Sequence, residues 1–165
     1  MKSDRSKFID DARHRAQMGD ITVFEECFTP DFKFTLPETK SFPDGSLHGL
    51  DAIKAMGAFE KGDLGSWESI TRENIVEIET EAQTFRIMKW TAKKPYNDYF
   101  CFKNLNPNLE VVLHVFQLYM FRDGKICEDF ETYDTFGYFM DIVQHDEEKL
   151  LKALPALLNM PAPEF

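Results

Sequence analysis

Long apolar runs are missing from this sequence. No stretch approaches the roughly 18 uninterrupted apolar residues that a membrane-spanning helix needs. Cysteine is scarce: Cys27, Cys101 and Cys127 are odd in number and widely spaced, which argues against a disulfide framework or a zinc site and fits reduced thiols in a cytoplasm. Basic residues are in deficit, 19 against 29 acidic ones, for a formal charge of −10 and an isoelectric point near 4.8. Such a surface repels nucleic acid and anionic membranes. Among His14, His48, His114 and His145 no two have metal-ligand spacing, so no metal is expected. Gly62-Asp-Leu-Gly-Ser66 lacks the Lys-Ser/Thr ending of a phosphate loop, and no Gly-x-Ser-x-Gly elbow occurs. Residues 1–17 are charged throughout, without the apolar core of a signal peptide. The expectation is a cytoplasmic protein with neither nucleic-acid nor membrane partners.

What the chain has in quantity is bulk. Hydrophobic residues make up 43% of its 165 positions, and phenylalanine alone occurs 16 times. This suits one well-buried core and is too short for two comfortable domains. A single domain over 1–165 is expected, with a C-terminal extension from about residue 144. Periodicity predicts a helix over 4–18 on the stripe Phe8, Ile9, Ala12 and Ala16. A second helix, which Asp20 can cap, carries Ile21, Phe24, Cys27 and Phe28 as far as Thr29-Pro30. A short strand at 32–36 follows, then a loop with Pro43, Asp44 and Gly45, then a helix from Gly49 with Leu50, Ile53 and Met56 inward. After Gly62 and Gly65 the texture becomes β: strands over 67–80 and 83–93, a Pro- and Asn-rich connection over 95–109, and a hairpin of 110–121 and 126–133. Its Asp123-Gly124 turn is among the strongest short-range hairpin signals. A helix with Phe136, Phe139, Met140 and Val143 inward and an amphipathic tail near 146–154 close the chain. Helices grouped before antiparallel strands indicate an α+β fold: a cone-shaped, curved antiparallel sheet wrapped around N-terminal helices.

The segments Phe28-Thr-Pro-Asp-Phe32, His48-Gly-Leu-Asp-Ala-Ile53 and Phe121-Arg-Asp-Gly-Lys-Ile-Cys-Glu-Asp-Phe130, followed by Tyr133-Asp134, resemble the SnoaL-like polyketide cyclases of the nuclear transport factor 2-like superfamily. The resemblance covers about residues 5–143. It implies a cystatin-like cone enclosing a pocket, a homodimer, no metal or organic cofactor, and acid–base chemistry by a cavity-facing carboxylate on the last strand. Glu131 falls at the carboxylate position of the phenazine-pathway and epoxide-hydrolase relatives, and Gln117 where several relatives place a polar cavity residue. Two features depart from these relatives. The Arg-x-Asp pair of the epoxide hydrolases is not matched, because Arg86 is followed by Ile87 and Met88. Met56 stands near the phenazine relatives' helix histidine.

Alternation alone puts Cys127, Asp129, Glu131 and Tyr133 on one face of the returning strand, and Val115, Gln117 and Tyr119 on one face of its partner. A plain two-residue turn pairs Tyr119 with Glu128 and Gln117 with Phe130. A one-residue bulge or a longer turn instead brings Gln117 beside Glu131, and the sequence leaves both open. In the pocket, Glu131 is the candidate general acid/base and Asp129 the second candidate, with Gln117 or a tyrosine donating to a developing enolate. The plainer reading puts both acids on a solvated face. Tyr119, Tyr133 and Trp90 are candidate substrate-binding residues or, as readily, core aromatics. His114 reads as a core or interface residue and Asp134 as a helix N-cap.

Two functions fit. One is a cofactor-free enzyme, a cyclase, isomerase or dehydratase acting on a hydrophobic molecule of secondary metabolism. The other is a non-catalytic binding or dimeric assembly module. Both include a homodimer through the outer sheet row Val112, His114, Phe116, Leu118 and Met120, unless the C-terminal helix with Leu150, Leu151 and Leu154 covers that row.

Overall fold

A computed structural model describes residues 3–37, 46–60, 67–95, 98–99, 102–103 and 108–158. Helix α1 (Asp4–Gln17) begins at Ser3, whose side chain accepts from the Ser6 amide. The short helix α2 (Thr22–Cys27) leads into β1 (Phe28–Thr35). Strand β2 (Ser46–His48) and helix α3 (Gly49–Glu60) precede two long strands, β3 (Trp67–Glu79) and β4 (Gln83–Pro95). A two-strand ribbon, β5 (Asp98–Tyr99) and β6 (Phe102–Lys103), stands apart from the main sheet. The hairpin of β7 (Glu110–Arg122) and β8 (Lys125–Tyr133) is followed by α4 (Thr135–Ile142) and α5 (Glu147–Leu158).

The fold is α+β. Its six-stranded sheet runs β2-β1-β8-β7-β4-β3 and is not closed into a barrel. Four of its neighbouring pairs are antiparallel, but β1 lies parallel to β8, with Phe34 opposite Asp129, so the sheet is mixed. A parallel pair requires a crossover, and everything between the two strands supplies it.

Three local expectations change. Phe28 opens β1 instead of ending α2: the residue before Pro30 is pushed out of helical conformation, which stops the helix early. Asp20 accepts from the Thr22 amide at 3.0 Å, yet the N-cap position itself is Ile21. Leu50 and Phe136 face outward: α3 buries Ala52 beside the expected Ile53, and α4 buries Tyr138 and Ile142. The Met56 side chain, the Pro43-Asp44-Gly45 loop, Gly62, Gly65 and Cys101 lie outside the described residues.

The main core joins Ile9, Ala12 and Ala16 of α1 to Phe28, Phe32 and Phe34 of β1, Ala52 and Ile53 of α3, and Tyr119 and Ile126 of the hairpin. A second cluster seats Tyr138 and Ile142 of α4 on Ala92, Leu109 and Val111. A third joins Met88, Trp90 and Val115, with Tyr133 against it. Together they cover the inner face of the sheet. Among the described residues no helix is long and apolar enough to cross a membrane.

Candidate active site

The site is built by the β7–β8 hairpin. Asp123 and Gly124 both have positive φ, 51° and 76°, as the tightest hairpin turns require. Arg122 then pairs with Lys125 and Phe121 with Ile126, after which the register slips by one and Met120 faces Glu128. This bulge resolves the open register: Tyr119 stands opposite Asp129 and Gln117 opposite Glu131. All four point inward and are at most 2% exposed.

Two arginines meet them there. From α1, Arg13 directs Nη1 at Asp129 Oδ2 (3.0 Å), at Glu131 Oε1 and at the Tyr119 hydroxyl. Gln117 donates through Nε2 to the same Glu131 oxygen, and the Tyr119 hydroxyl lies 3.4 Å from it. Arg86 of β4 donates to Gln117 Oε1 at 2.9 and 3.2 Å, to Asp10 Oδ1 at 2.8 Å and to Ser6 Oγ at 3.2 Å. Arg86 therefore fixes which way the Gln117 amide points: its oxygen is taken by the guanidinium, so its NH2 faces Glu131. Removing these charges from water costs several kcal/mol per ion, and only a well-bonded set like this one offsets it. Burial pushes the Tyr119 phenol well above its ordinary value near 10; Arg13 opposes the shift, and Asp129 and Glu131 reinforce it. Burial works against the charged form of Arg86, but Tyr119 and Asp10 together raise its pKa above the usual value.

The structure thus brings Glu131, Asp129, Gln117 and Tyr119 together. It places Trp90 and Tyr133 one step further along the inner face, in the apolar cluster with Met88 and Val115. Trp90 stacks under the Arg72 guanidinium, 4.8 Å from its ring, and its buried Nε1 has no hydrogen-bond partner among the described residues. The solvated-face alternative for the acids does not hold. His114 lies half-buried on the outer face, and Asp134 caps α4 by accepting from the Gly137 amide at 2.8 Å. An open cleft of about 450 Å³, lined by Arg5, Phe8, Glu81, Ala82, Phe121, Asp123 and Gly124, includes none of the site residues.

Sequence reasoning missed Arg13 as a site residue. A signal existed: Arg13 follows Ile9 by four positions and Ala12 by one, so a charge occupies the apolar stripe of α1. Arg86 likewise shares an inward row with Met88 and Trp90. Among the described residues no group of three or more His, Cys, Asp or Glu is arranged to hold a metal ion.

The architecture recurs in solved structures. IdmH of Streptomyces antibioticus, a proposed polyketide cyclase, matches with a TM-score of 0.62 at 15% identity, over 86% of this chain and 99% of that one. A proposed polyketide cyclase from Acidithiobacillus ferrooxidans matches at 0.63 and 14% identity, over 87% and 97%. An ntf2-like protein of unknown function from Burkholderia pseudomallei matches at 0.56 and 14% identity, over 86% and 98%. The chain has the nuclear transport factor 2-like fold. This agrees with the sequence resemblance, and identities this low speak for the fold alone. No protein-family model matches the sequence, and the comparison with curated proteins finds no match. Within the nuclear transport factor 2-like frame, the acids stand on the last strand of the sheet, facing inward.

Proposed function

We propose that this nuclear transport factor 2-like protein is a cofactor-free enzyme that isomerises, cyclises or dehydrates a hydrophobic small molecule by acid–base chemistry. The observation that carries the reading is the convergence of Arg13, Gln117 and Tyr119 on one oxygen of Glu131. Three donors on Oε1 fix the carboxylate's orientation and leave Oε2 as the oxygen through which a proton passes. A preorganised carboxylate in a water-poor interior is what proton abstraction beside a carbonyl asks for. Asp129 shares the guanidinium and tunes the pair. Met88, Val115 and Tyr133 form the apolar wall against which the ligand packs, and Trp90 Nε1 is the donor offered to a ligand oxygen. The reading takes the chain as a single domain in a reducing cytoplasm, serving secondary metabolism as a homodimer.

One observation favours the second reading, a non-catalytic binding or assembly module. Arg13 already engages both acids, and a bolt of this kind also serves a purely structural interior. The experiment begins with ligand discovery, by native mass spectrometry and thermal shift against polyketide-like and steroid-like compounds. For a converted compound, Glu131→Gln is expected to lower kcat by at least about 100-fold, the scale of a lost general base, while binding persists. Full turnover by Glu131→Gln removes the assignment. Binding without conversion by the wild type leaves the module reading in its place.

A further inference from the structure

The acid–base reading uses Glu131, yet the group that sets its surroundings comes from another element. Asp129 and Glu131 are two residues apart on one strand face, a separation of about 7 Å along the strand. They are 0% and 2% exposed. Arg13 Nη1 touches both. The other charged and titratable groups facing them are engaged as well. From β4, Arg86 turns to Asp10 and Gln117. From β7, Tyr119 is held protonated by burial. From α1, Asp10 pairs with Arg86. On β1 the residue opposite Asp129 is Phe34, which carries no charge.

We infer that Arg13 is a positioning residue that holds Asp129 and Glu131 as one doubly ionised unit, and that the two acids share a single proton once its guanidinium is withdrawn. This deepens the acid–base reading on which it rests: held by Arg13, the pair stands ready to accept a proton. The physical reason is common to buried carboxylate pairs. Desolvation and mutual repulsion both disfavour two negative charges, and a shared proton relieves both, so the protonation belongs to the pair. That proton comes from solvent, and no covalent bond of either acid changes.

The test follows the side-chain carboxyl carbons of ¹³C-labelled Asp129 and Glu131 by NMR as pH is varied, without ligand. In the wild type both resonances are expected at their ionised positions at pH 7. In Arg13→Met, uptake of about one proton per chain moves one or both to the protonated position, and Arg13→Lys restores the ionised pair. An arginine whose charge did not set the state of the pair would leave these signals where they are. If Arg13→Met leaves both acids ionised at pH 7, the inference is overturned. If that variant does not fold at pH 7, it is expected to refold at pH 5, where a proton is more readily taken up. Failure to fold at both pH values also overturns the inference. No substrate enters the measurement, so its outcome is separate from whether Glu131→Gln retains turnover.

Discussion

Near the hairpin turn the two faces of β7 carry opposite chemistry, the reverse of what hydropathy alone assigns. The inner row holds Gln117 and Tyr119, 1% and 0% exposed, beside two buried acids and two buried arginines. The outer row holds Val112, Phe116, Leu118 and Met120, with Phe116 37% exposed. The outer apolar surface continues on β3, where Ile75 and Ile78 are exposed. Inside, polarity is tolerated because nearly every charge meets a partner of opposite sign at hydrogen-bond distance. Outside, the apolar side chains have no such local answer: α4 sits on the inner side against Val111 and Leu109, and of the three leucines of α5 Leu150 is buried while Leu151 and Leu154 remain exposed. The alternative in which α5 folds over the outer row therefore gains no support. At this end of β7, burial follows available partners rather than side-chain type.

The contrast breaks most sharply at Arg86. Arg86→Met deletes a charge that three groups answer and takes both guanidinium donors from Gln117 Oε1. The expected loss is about 3–5 kcal/mol of unfolding free energy, read from urea titrations. A loss below about 1 kcal/mol would place the inner network with exposed ion pairs, such as Lys152 with Glu148, which contribute little. The outer face is tested by light scattering. The wild type is expected at about twice the chain mass of 19.2 kDa, and Phe116→Glu near 19.2 kDa with its fold retained. Burying the exposed third of that ring is worth about 0.5–1 kcal/mol per subunit, in proportion to a whole side chain. A wild-type mass near that of one chain sinks the dimer.

The smallest effect concerns Tyr119 and appears only in alkali. Its folded pKa is raised above the unfolded value near 10, so the folded state keeps the proton that the unfolded state releases. The contribution is complete below pH of about 10 and drains away as pH rises toward the folded value. Ultraviolet titration should show one tyrosine that ionises only with unfolding, and Tyr119→Phe should abolish that late step. Its persistence in Tyr119→Phe would assign the step to another tyrosine.

Most of the architecture was legible because it rests on short-range signals. The α1 stripe, the long alternating strands, the Asp-Gly turn and the Asp134 cap each depend on residues within a few positions of one another. The parallel pairing of β1 with β8 was not legible, because it joins segments about 95 residues apart and leaves no mark on the periodicity of either. The same holds for the arginines. Each betrayed itself only as a charge on an otherwise apolar row, and its partners lie on other elements. Glu131 and Gln117 were found by alternation together with resemblance, but their pairing hung on a bulge that the residues alone left undecided.

That bulge has a consequence for how the hairpin can vary. Ile126 and Asp129 are both inward although they are three positions apart, so β8 changes phase at Cys127, its even positions lining the interior before it and its odd positions after it. Loss of Cys127 would leave Glu128 opposite Met120 and the acids where they are. A single residue lost between Asp129 and Glu131 would instead shift everything after it by one, turning Glu131 toward the apolar outer face and away from Arg13 and Gln117. The hairpin therefore has one point where its length is free, and that point marks where the counting for everything beyond begins.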